Sequence, residues 1–196
     1  MLHKKQKGEY GYMSYCRRLK LLITLMLACM IAFVIVGTLI MFEDTNRVII
    51  VFAILLALPF AKYLATWIAC AKFKPFTTAQ YKEFQSKLED VDATERFLLY
   101  DVTVSKYEGM LFFQSIFVKN GKIIALAFES KGGTMNNRKY KSWIESCIEA
   151  AKEPYPVTVY DNIDAFIKKI ESIKEPSEQT FRMDQYIAKC ILDTCV

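Results

Sequence analysis

Histidine is nearly absent from this chain, since His3 is the only one among 196 residues. The long carboxyl-terminal part, residues 72–196, contains none. Ser-His-Asp and Cys-His nucleophilic mechanisms, and zinc sites with histidine ligands, are therefore excluded from that part of the chain.

Cysteine pairs at metal-ligand spacing are missing as well. The six cysteines form no CxxC motif, and Cys29 and Cys70 lie in or beside long apolar runs. We expect Cys147 and Cys190 to be small, buried apolar side chains rather than disulfide partners, and Cys195 to be a frayed terminal thiol. The sequence also contains no internal repeat, low-complexity stretch or glycine-rich phosphate loop.

Two long apolar runs, residues 21–42 and 48–71, are separated by a polar connection of five residues. At about 1.5 Å per residue, each run is long enough as a helix to span the ~30 Å hydrocarbon core of a bilayer. Because the connection is too short for a domain, the second helix must return antiparallel to the first. The pattern predicts a transmembrane hairpin; a signal peptide, the alternative, would have an apolar core of only about 7 to 15 residues.

Lysine and arginine residues indicate the orientation of this hairpin. Six of them precede residue 21, one accompanies two acids in the connection, and Lys72 and Lys74 follow the second run. Basic residues stay on the cytoplasmic side of short loops. We therefore expect a multi-pass protein of the inner (plasma) membrane with both termini in the cytoplasm.

The formal net charge of +5 comes from the basic residues before the first apolar run, which also indicate the membrane topology. Residues 1–20 carry six basic side chains and one acidic one, whereas residues 72–196 carry 18 of each sign. The neutral balance does not indicate a nucleic-acid groove, and the basic amino end favours attraction to anionic inner-leaflet lipid. Lys62, inside the second run, is expected to snorkel to the headgroups, the alternative being a transport path or counter-ion site.

Residues 72–196 predict one α/β (α+β) domain with the order αβββαβαα. A capping box at 77–80 starts the first helix, strands are expected at 96–106, 110–119 and 122–130, and Glu108-Gly109 and Asn120-Gly121 are hairpin signals. A right-handed crossover then sets a fourth strand, at 157–160, parallel in a mixed four-stranded sheet. The domains are thus a basic segment 1–20, a hairpin 21–71 and a cytoplasmic domain 72–196.

Alternation along these strands predicts one apolar face and one mixed face of the sheet. The mixed face is expected to hold Asp101, Thr103 and Gln114. The core face is expected to consist of Leu98, Tyr100, Val102, Val104, Leu111, Phe113, Phe117, Ile124, Leu126 and Phe128.

Glu129 and Lys131 end the third strand as an ExK motif, whose i, i+2 spacing sends both side chains to one side of an extended chain. With the αβββαβ order over residues 77–160, this motif resembles the core of the PD-(D/E)xK nuclease-like superfamily. The resemblance implies a metal-dependent nuclease acting on nucleic acid, in which Mg²⁺ or Mn²⁺ generates hydroxide. Glu129 would be a metal ligand, and Lys131 would stabilise developing negative charge.

The second-strand acid of that family is missing here. Phe112 and Gln114 occupy the middle of the strand, so the further metal ligand would be Asp101 on the first strand or Glu108 in the turn.

A second candidate site lies in the loop that follows, where Gly132 and Gly133 lead to a helix start with Arg138 and Lys139. Helix amides with nearby cations can bind a lipid headgroup or another phosphorylated ligand, the alternative being an ordinary solvated basic face. We interpret the protein mainly as a membrane-anchored binding or regulatory domain rather than an enzyme. Its expected partners are the bilayer and an anionic lipid or a protein, with no cofactor.

Overall fold

The structure is a computed structural model that describes residues 4–41, 47–89, 97–128, 136–149, 155–173 and 177–195. The chain divides into two compact units, one formed by Met1–Tyr12 together with Lys74–Val196 and the other by Met13–Phe73. We call the first the folded unit and the second the helical hairpin. This division differs from the expected boundary at residue 20, because residues 4–12 fold with the carboxyl-terminal part of the chain.

The helical hairpin consists of α1 (Tyr12–Met41) and α2 (Arg47–Ala71). Within them, Tyr12–Gly37 and Ile54–Ala71, with mean hydropathies of 2.7 and 1.7, are long and apolar enough to cross a membrane. Helix α1 begins well before residue 21, since the lysines and arginines that precede the apolar run are themselves good helix formers. Hydropathy therefore locates the apolar span but not the start of the helix.

The folded unit contains a mixed four-stranded sheet with the strand order β1-β2-β3-β4. Strands β1, β2 and β3 are antiparallel neighbours, and β4 is parallel to β3, as the crossover rule predicts. In chain order the elements are α3 (Thr78–Glu89), β1 (Phe97–Lys106), β2 (Gly109–Lys119), β3 (Lys122–Leu126), α4 (Asn137–Cys147), β4 (Val157–Tyr160), α5 (Ile163–Glu171) and α6 (Glu178–Thr194).

Turn and cap residues explain where several of these elements begin. Thr77 and Gln80 form the expected capping box, with each side chain accepting from the other's backbone N–H at 3.0 and 3.3 Å. Asn136 accepts from the first turn of α4. The β2–β3 turn falls at Asn120-Gly121 as expected, whereas the β1–β2 turn consists of residues 107 and 108, one residue earlier than expected.

Both faces of the sheet are covered by helices. Ile123 and Ala125 pack in one apolar cluster with α4 and α6, and Ile124 and Leu126 pack in a second cluster with α3 and α5. The expectation of one apolar and one mixed face is therefore wrong. Strand β3 is buried on both sides, as strands between two helical layers are.

Side-chain alternation along β1 is interrupted at Asp101. Val102 and its partner Phe113 pack in the same cluster as Leu99, although strict alternation would put them with Tyr100 in the other cluster. Asp101 has φ 51°, in the left-handed region, which aspartate tolerates better than most residues. This backbone conformation shifts the alternation by one position, so that the second half of β1 faces the α4–α6 layer.

Residues near both termini pair with the outer edge of β1. Gly8 forms an antiparallel bridge with Tyr100, and Cys195 forms another with Val104. Cys195 is 7% exposed, so the expectation of a frayed terminal thiol is wrong. The described cysteines are free thiols; Cys147 is buried as expected, while Cys190 is only half-buried.

Candidate functional site

Four of the expected site residues, Glu129, Lys131, Gly132 and Gly133, lie outside the described residues. Strand β3 ends at Leu126, and the described chain continues only two residues further. Catalytic roles for the ExK pair and an anion site at the two glycines therefore stay predictions. The structure describes the other four expected site residues, which are Asp101, Glu108, Arg138 and Lys139.

Gln114 stands in the middle of β2, where the PD-(D/E)xK family has an acidic residue. Its side chain is fully buried, its Nε2 donates to the carbonyl oxygen of Lys74 at 3.0 Å, and its Oε1 accepts from the backbone N–H of Phe128 at 2.8 Å. A carboxylate could not donate to the Lys74 carbonyl, whereas an amide satisfies both partners. Gln114 thus ties the chain before α3 to the chain after β3, and both ends of its amide are used.

Asp101 lies opposite Gln114, because Tyr100 pairs with Ser115 and Val102 with Phe113. The Asp101 side chain is 2% exposed, and its left-handed backbone costs roughly 1–2 kcal/mol in an L-residue. Strained backbone of this kind is often found at functional sites.

Glu108 is exposed in the β1–β2 turn, at the far end of the strand from Asp101. At ~3.3 Å per residue, the five steps of strand from Asp101 to Lys106 already span roughly 16 Å before the turn begins, too far for the two carboxyl groups to bind one cation. The described residues contain no group of three or more His, Cys, Asp or Glu side chains that could hold a metal ion. Asp101 and Glu108 therefore cannot share one cation, and a site formed by Glu129 with either of them stays a prediction.

Two hydroxyl groups accompany Asp101 and Gln114 in the middle of β1 and β2. Thr103 and Ser115 are both buried, and neither hydroxyl oxygen has a hydrogen-bond partner among the described residues. An unpaired buried hydroxyl costs about 1–3 kcal/mol. We call these four buried polar side chains of β1 and β2 the polar row: Asp101, Thr103, Gln114 and Ser115. The sequence contained a signal for it, because polar residues are unusual in otherwise apolar strands.

Arg138 and Lys139 are exposed in the first turn of α4. The side chain of Asn136 already accepts from the backbone N–H of Lys139 at 3.2 Å, so one of the amides available to an anion is occupied. The ammonium group of Lys139 lies 5.6 Å from the centroid of the Trp143 ring, and that of Lys106 lies 5.5 Å from the same centroid. Lys106 comes from the end of β1, and sequence reasoning missed it because only the tertiary fold brings it to α4.

A buried carboxylate on α6 serves the β2–β3 turn. Asp184 accepts from the backbone N–H groups of Asn120 at 2.6 Å and Gly121 at 3.0 Å, and from the hydroxyl of Tyr155 at 3.2 Å. Burial raises the pKa of the Asp184 carboxyl above its usual value, and the two backbone hydrogen bonds oppose that rise. Three donors converge on this group, so its role is to hold the turn against α6.

Comparison with family models, curated proteins and solved structures finds no match to this chain. Function is therefore inferred from the geometry of the molecule. Three features are relevant. The chain on both sides of the helical hairpin belongs to the folded unit, β1 and β2 carry the polar row, and two lysines lie near the Trp143 ring.

Proposed function

We propose that this protein is a binding or regulatory module held at the cytoplasmic surface of the inner membrane by a helical hairpin. One observation supports this above all: residues before α1 and residues after α2 belong to the same compact unit. Since the chain leaves and re-enters one folded unit, both ends of the hairpin lie on one side of the membrane. The basic residues that flank the apolar spans favour the cytoplasmic side.

Contacts inside the helical hairpin support an antiparallel pair of helices. Arg17 of α1 donates through Nε to the carbonyl oxygen of Cys70 at 2.8 Å, and through its terminal nitrogen to the carbonyl oxygen of Phe73. These carbonyl groups end α2, where a cation is favourable because the helix dipole is negative there. Arg17 therefore holds the start of α1 beside the end of α2.

Labelling with a membrane-impermeant maleimide tests the topology. With Cys16, Cys29 and the half-buried Cys190 each replaced by Ala, we expect Asp44→Cys to be labelled in intact cells and Tyr107→Cys only after the inner membrane is permeabilised. Tyr107 is suitable because it is fully exposed. Native Cys195 is not, because burial raises the pKa of its thiol to about 12, and it would react slowly on either side.

Labelling of Tyr107→Cys in intact cells would contradict the cytoplasmic placement. Labelling of both variants only after permeabilisation would contradict the membrane hairpin itself.

A metal-dependent nuclease is the second candidate, and the buried, strained Asp101 is the observation that favours it. Full-length protein would be assayed for Mn²⁺ binding and DNA cleavage. A nuclease should lose both with Glu129→Ala or Asp101→Asn and keep both with Glu108→Gln, because Glu108 lies at the far end of β1. Cleavage that survives Glu129→Ala would end this candidate, whereas metal-dependent turnover lost in that variant would replace the binding module.

A further inference from the structure

The β1–β2 turn carries an aromatic ring that the folded unit does not bury. Tyr107 is fully exposed, and in the described part of the folded unit only Tyr186 is another large apolar side chain with strong exposure. Tyrosine combines an apolar ring with a polar hydroxyl, and it is enriched where membrane and water meet. The tip of this turn therefore has the chemistry of a membrane-interface residue.

Lys106, next to this turn, and Lys139 of α4 lie near one tryptophan ring, and Arg138 directly precedes Lys139; we call these three cations the basic patch. Lys106 directly precedes Tyr107, donates to the carbonyl oxygen of Ser142 at 3.4 Å, and shares the Trp143 ring with Lys139. Both ammonium groups lie within 6 Å of the centroid of this ring, so β1 and α4 bring two cations close to the same tryptophan.

The basic patch forms no ion pair in the described part of the folded unit, although the exposed Glu108 lies in the adjacent turn. Among the described residues, ion pairs form at Lys87 and at Lys141 but at none of the three patch cations. Like charges held together repel one another, and an anionic surface relieves that repulsion. The side chains of the patch therefore complement a negatively charged partner.

We propose that Tyr107 and the basic patch dock on an anionic bilayer surface, with the ring at the headgroup level and the cations on acidic headgroups. This inference rests on the proposed hairpin anchor. Three cations and one ring would bind such a surface weakly from solution, but a covalent anchor makes the contact intramolecular and raises the effective lipid concentration. The docked face would set how the folded unit presents its remaining surface to the cytoplasm.

The experiment uses the full chain in nanodiscs of pure phosphatidylcholine or of phosphatidylcholine with phosphatidylserine at 3:1. With Cys16, Cys29 and the half-buried Cys190 each replaced by Ala, the rate of maleimide reaction is measured for Glu108→Cys, which is exposed in the same turn and keeps the Tyr107 ring, and for Lys122→Cys. Lys122 is exposed at the β2–β3 turn, at the opposite end of β2, and serves as the positional control. We expect phosphatidylserine to slow the Glu108→Cys reaction at least threefold and to leave the Lys122→Cys reaction unchanged.

Two pairs of charge reversals distinguish binding through the basic patch from a general attraction between the protein's positive charge and anionic lipid. Arg138→Glu with Lys139→Glu should abolish the protection of Glu108→Cys. Lys82→Glu with Lys168→Glu makes the same change of charge on α3 and α5, which cover the other face of the sheet, and should preserve it. High salt should also remove the protection, because it screens exposed charges.

Equal rates in the two lipids, or equal loss of protection in both pairs of reversals, would overturn the docking proposal. Failure of the chain to enter nanodiscs would overturn the hairpin anchor and the docking proposal together. Entry into nanodiscs with equal rates would overturn the docking proposal alone, so the two failures are distinguishable.

Discussion

The side-chain amide of Gln114 forms two hydrogen bonds, one as a donor and one as an acceptor, that a carboxylate at this position could not both form. Its Nε2 needs an acceptor and its Oε1 needs a donor, and the backbone of Lys74 and Phe128 supplies both at hydrogen-bond distance. An acid at this position would serve a metal site but would lose the bond to Lys74. The residue that departs from the nuclease pattern therefore ties the chain before α3 to the chain after β3.

The substitution Gln114→Glu tests whether the folded unit needs an amide at this position. We expect Gln114→Glu to lower the free energy of unfolding of the folded unit by about 2–4 kcal/mol at pH 7, because it buries a charge and removes the donor to Lys74. Burial would raise the folded-state pKa of the new carboxyl above its unfolded value of about 4.3. The protonated form can donate to Lys74, so the missing stability should return as the pH falls towards the unfolded pKa and be lost as it rises.

Urea unfolding at pH 4 and pH 7, followed by Trp143 fluorescence in a Trp67→Phe background, gives the measurement. Gln80→Glu is the matched control, because Gln80 is exposed and glutamate fills the same place in a capping box. A loss of stability in Gln114→Glu that is the same at both pH values would contradict the burial of a charge at this position.

At the scale of elements, β1 combines an unusual backbone with an edge covered by two distant segments. Asp101 turns the second half of the strand towards the α4–α6 layer, while Gly8 and Cys195 pair with its outer edge. Exposed strand edges are sites of unwanted pairing between chains, and short bridges of this kind block them. Residues 4–12 of the amino-terminal segment therefore fold with the sheet, although the sequence predicted a separate basic segment over residues 1–20.

Gly8 is the residue that makes this edge contact possible. Its φ is +87°, and an added Cβ would approach Leu192 Cδ2 to 2.9 Å, so we expect Gly8→Ala to cost about 1–2 kcal/mol and to weaken the bridge to Tyr100. Hydrogen exchange at the Tyr100 amide, which donates to Gly8 at 2.8 Å, should accelerate.

Gly11 provides the control, because it has a similar φ of +81° but an added Cβ there would meet only the flexible Lys5 side chain. Gly11→Ala should carry the backbone strain without speeding exchange at Tyr100. Equal acceleration in the two variants would mean that strain in the segment, rather than the Gly8 bridge, controls the edge.

Sequence reasoning succeeded where the signal is local and failed where it depends on distant contacts. The Thr77–Gln80 capping box and the Asn120-Gly121 turn are encoded within a few residues, and both were predicted. The shift of alternation at Asp101 depends on a left-handed backbone that an aspartate permits but does not require. The approach of Lys106 to α4 requires the folded sheet, so no spacing in the sequence could indicate it.

At the scale of the whole molecule, a basic residue before the first apolar run can indicate membrane orientation, or it can form hydrogen bonds within the helical hairpin. The number of basic residues in the sequence does not distinguish these two roles. The six basic residues before residue 21 were all assigned to membrane orientation, yet Arg17 also bonds to the carbonyl groups that end α2. Arg18 is exposed and makes no such contact among the described residues. The two neighbouring arginines therefore contribute equally to the positive-inside signal but differently to the helical hairpin.

Replacing each arginine by glutamine separates these two uses. Arg17→Gln and Arg18→Gln remove the same charge from the same region, so both should keep the wild-type topology in the maleimide assay. Only Arg17→Gln should uncap α2, with an expected cost of about 1–2 kcal/mol because two carbonyl groups lose a charged donor. Hydrogen exchange over residues 70–74 of the full chain in detergent should accelerate in Arg17→Gln and stay at the wild-type rate in Arg18→Gln. Equal exchange in the two variants would mean that Arg17 acts only as a topology charge and that apolar packing alone closes the helical hairpin.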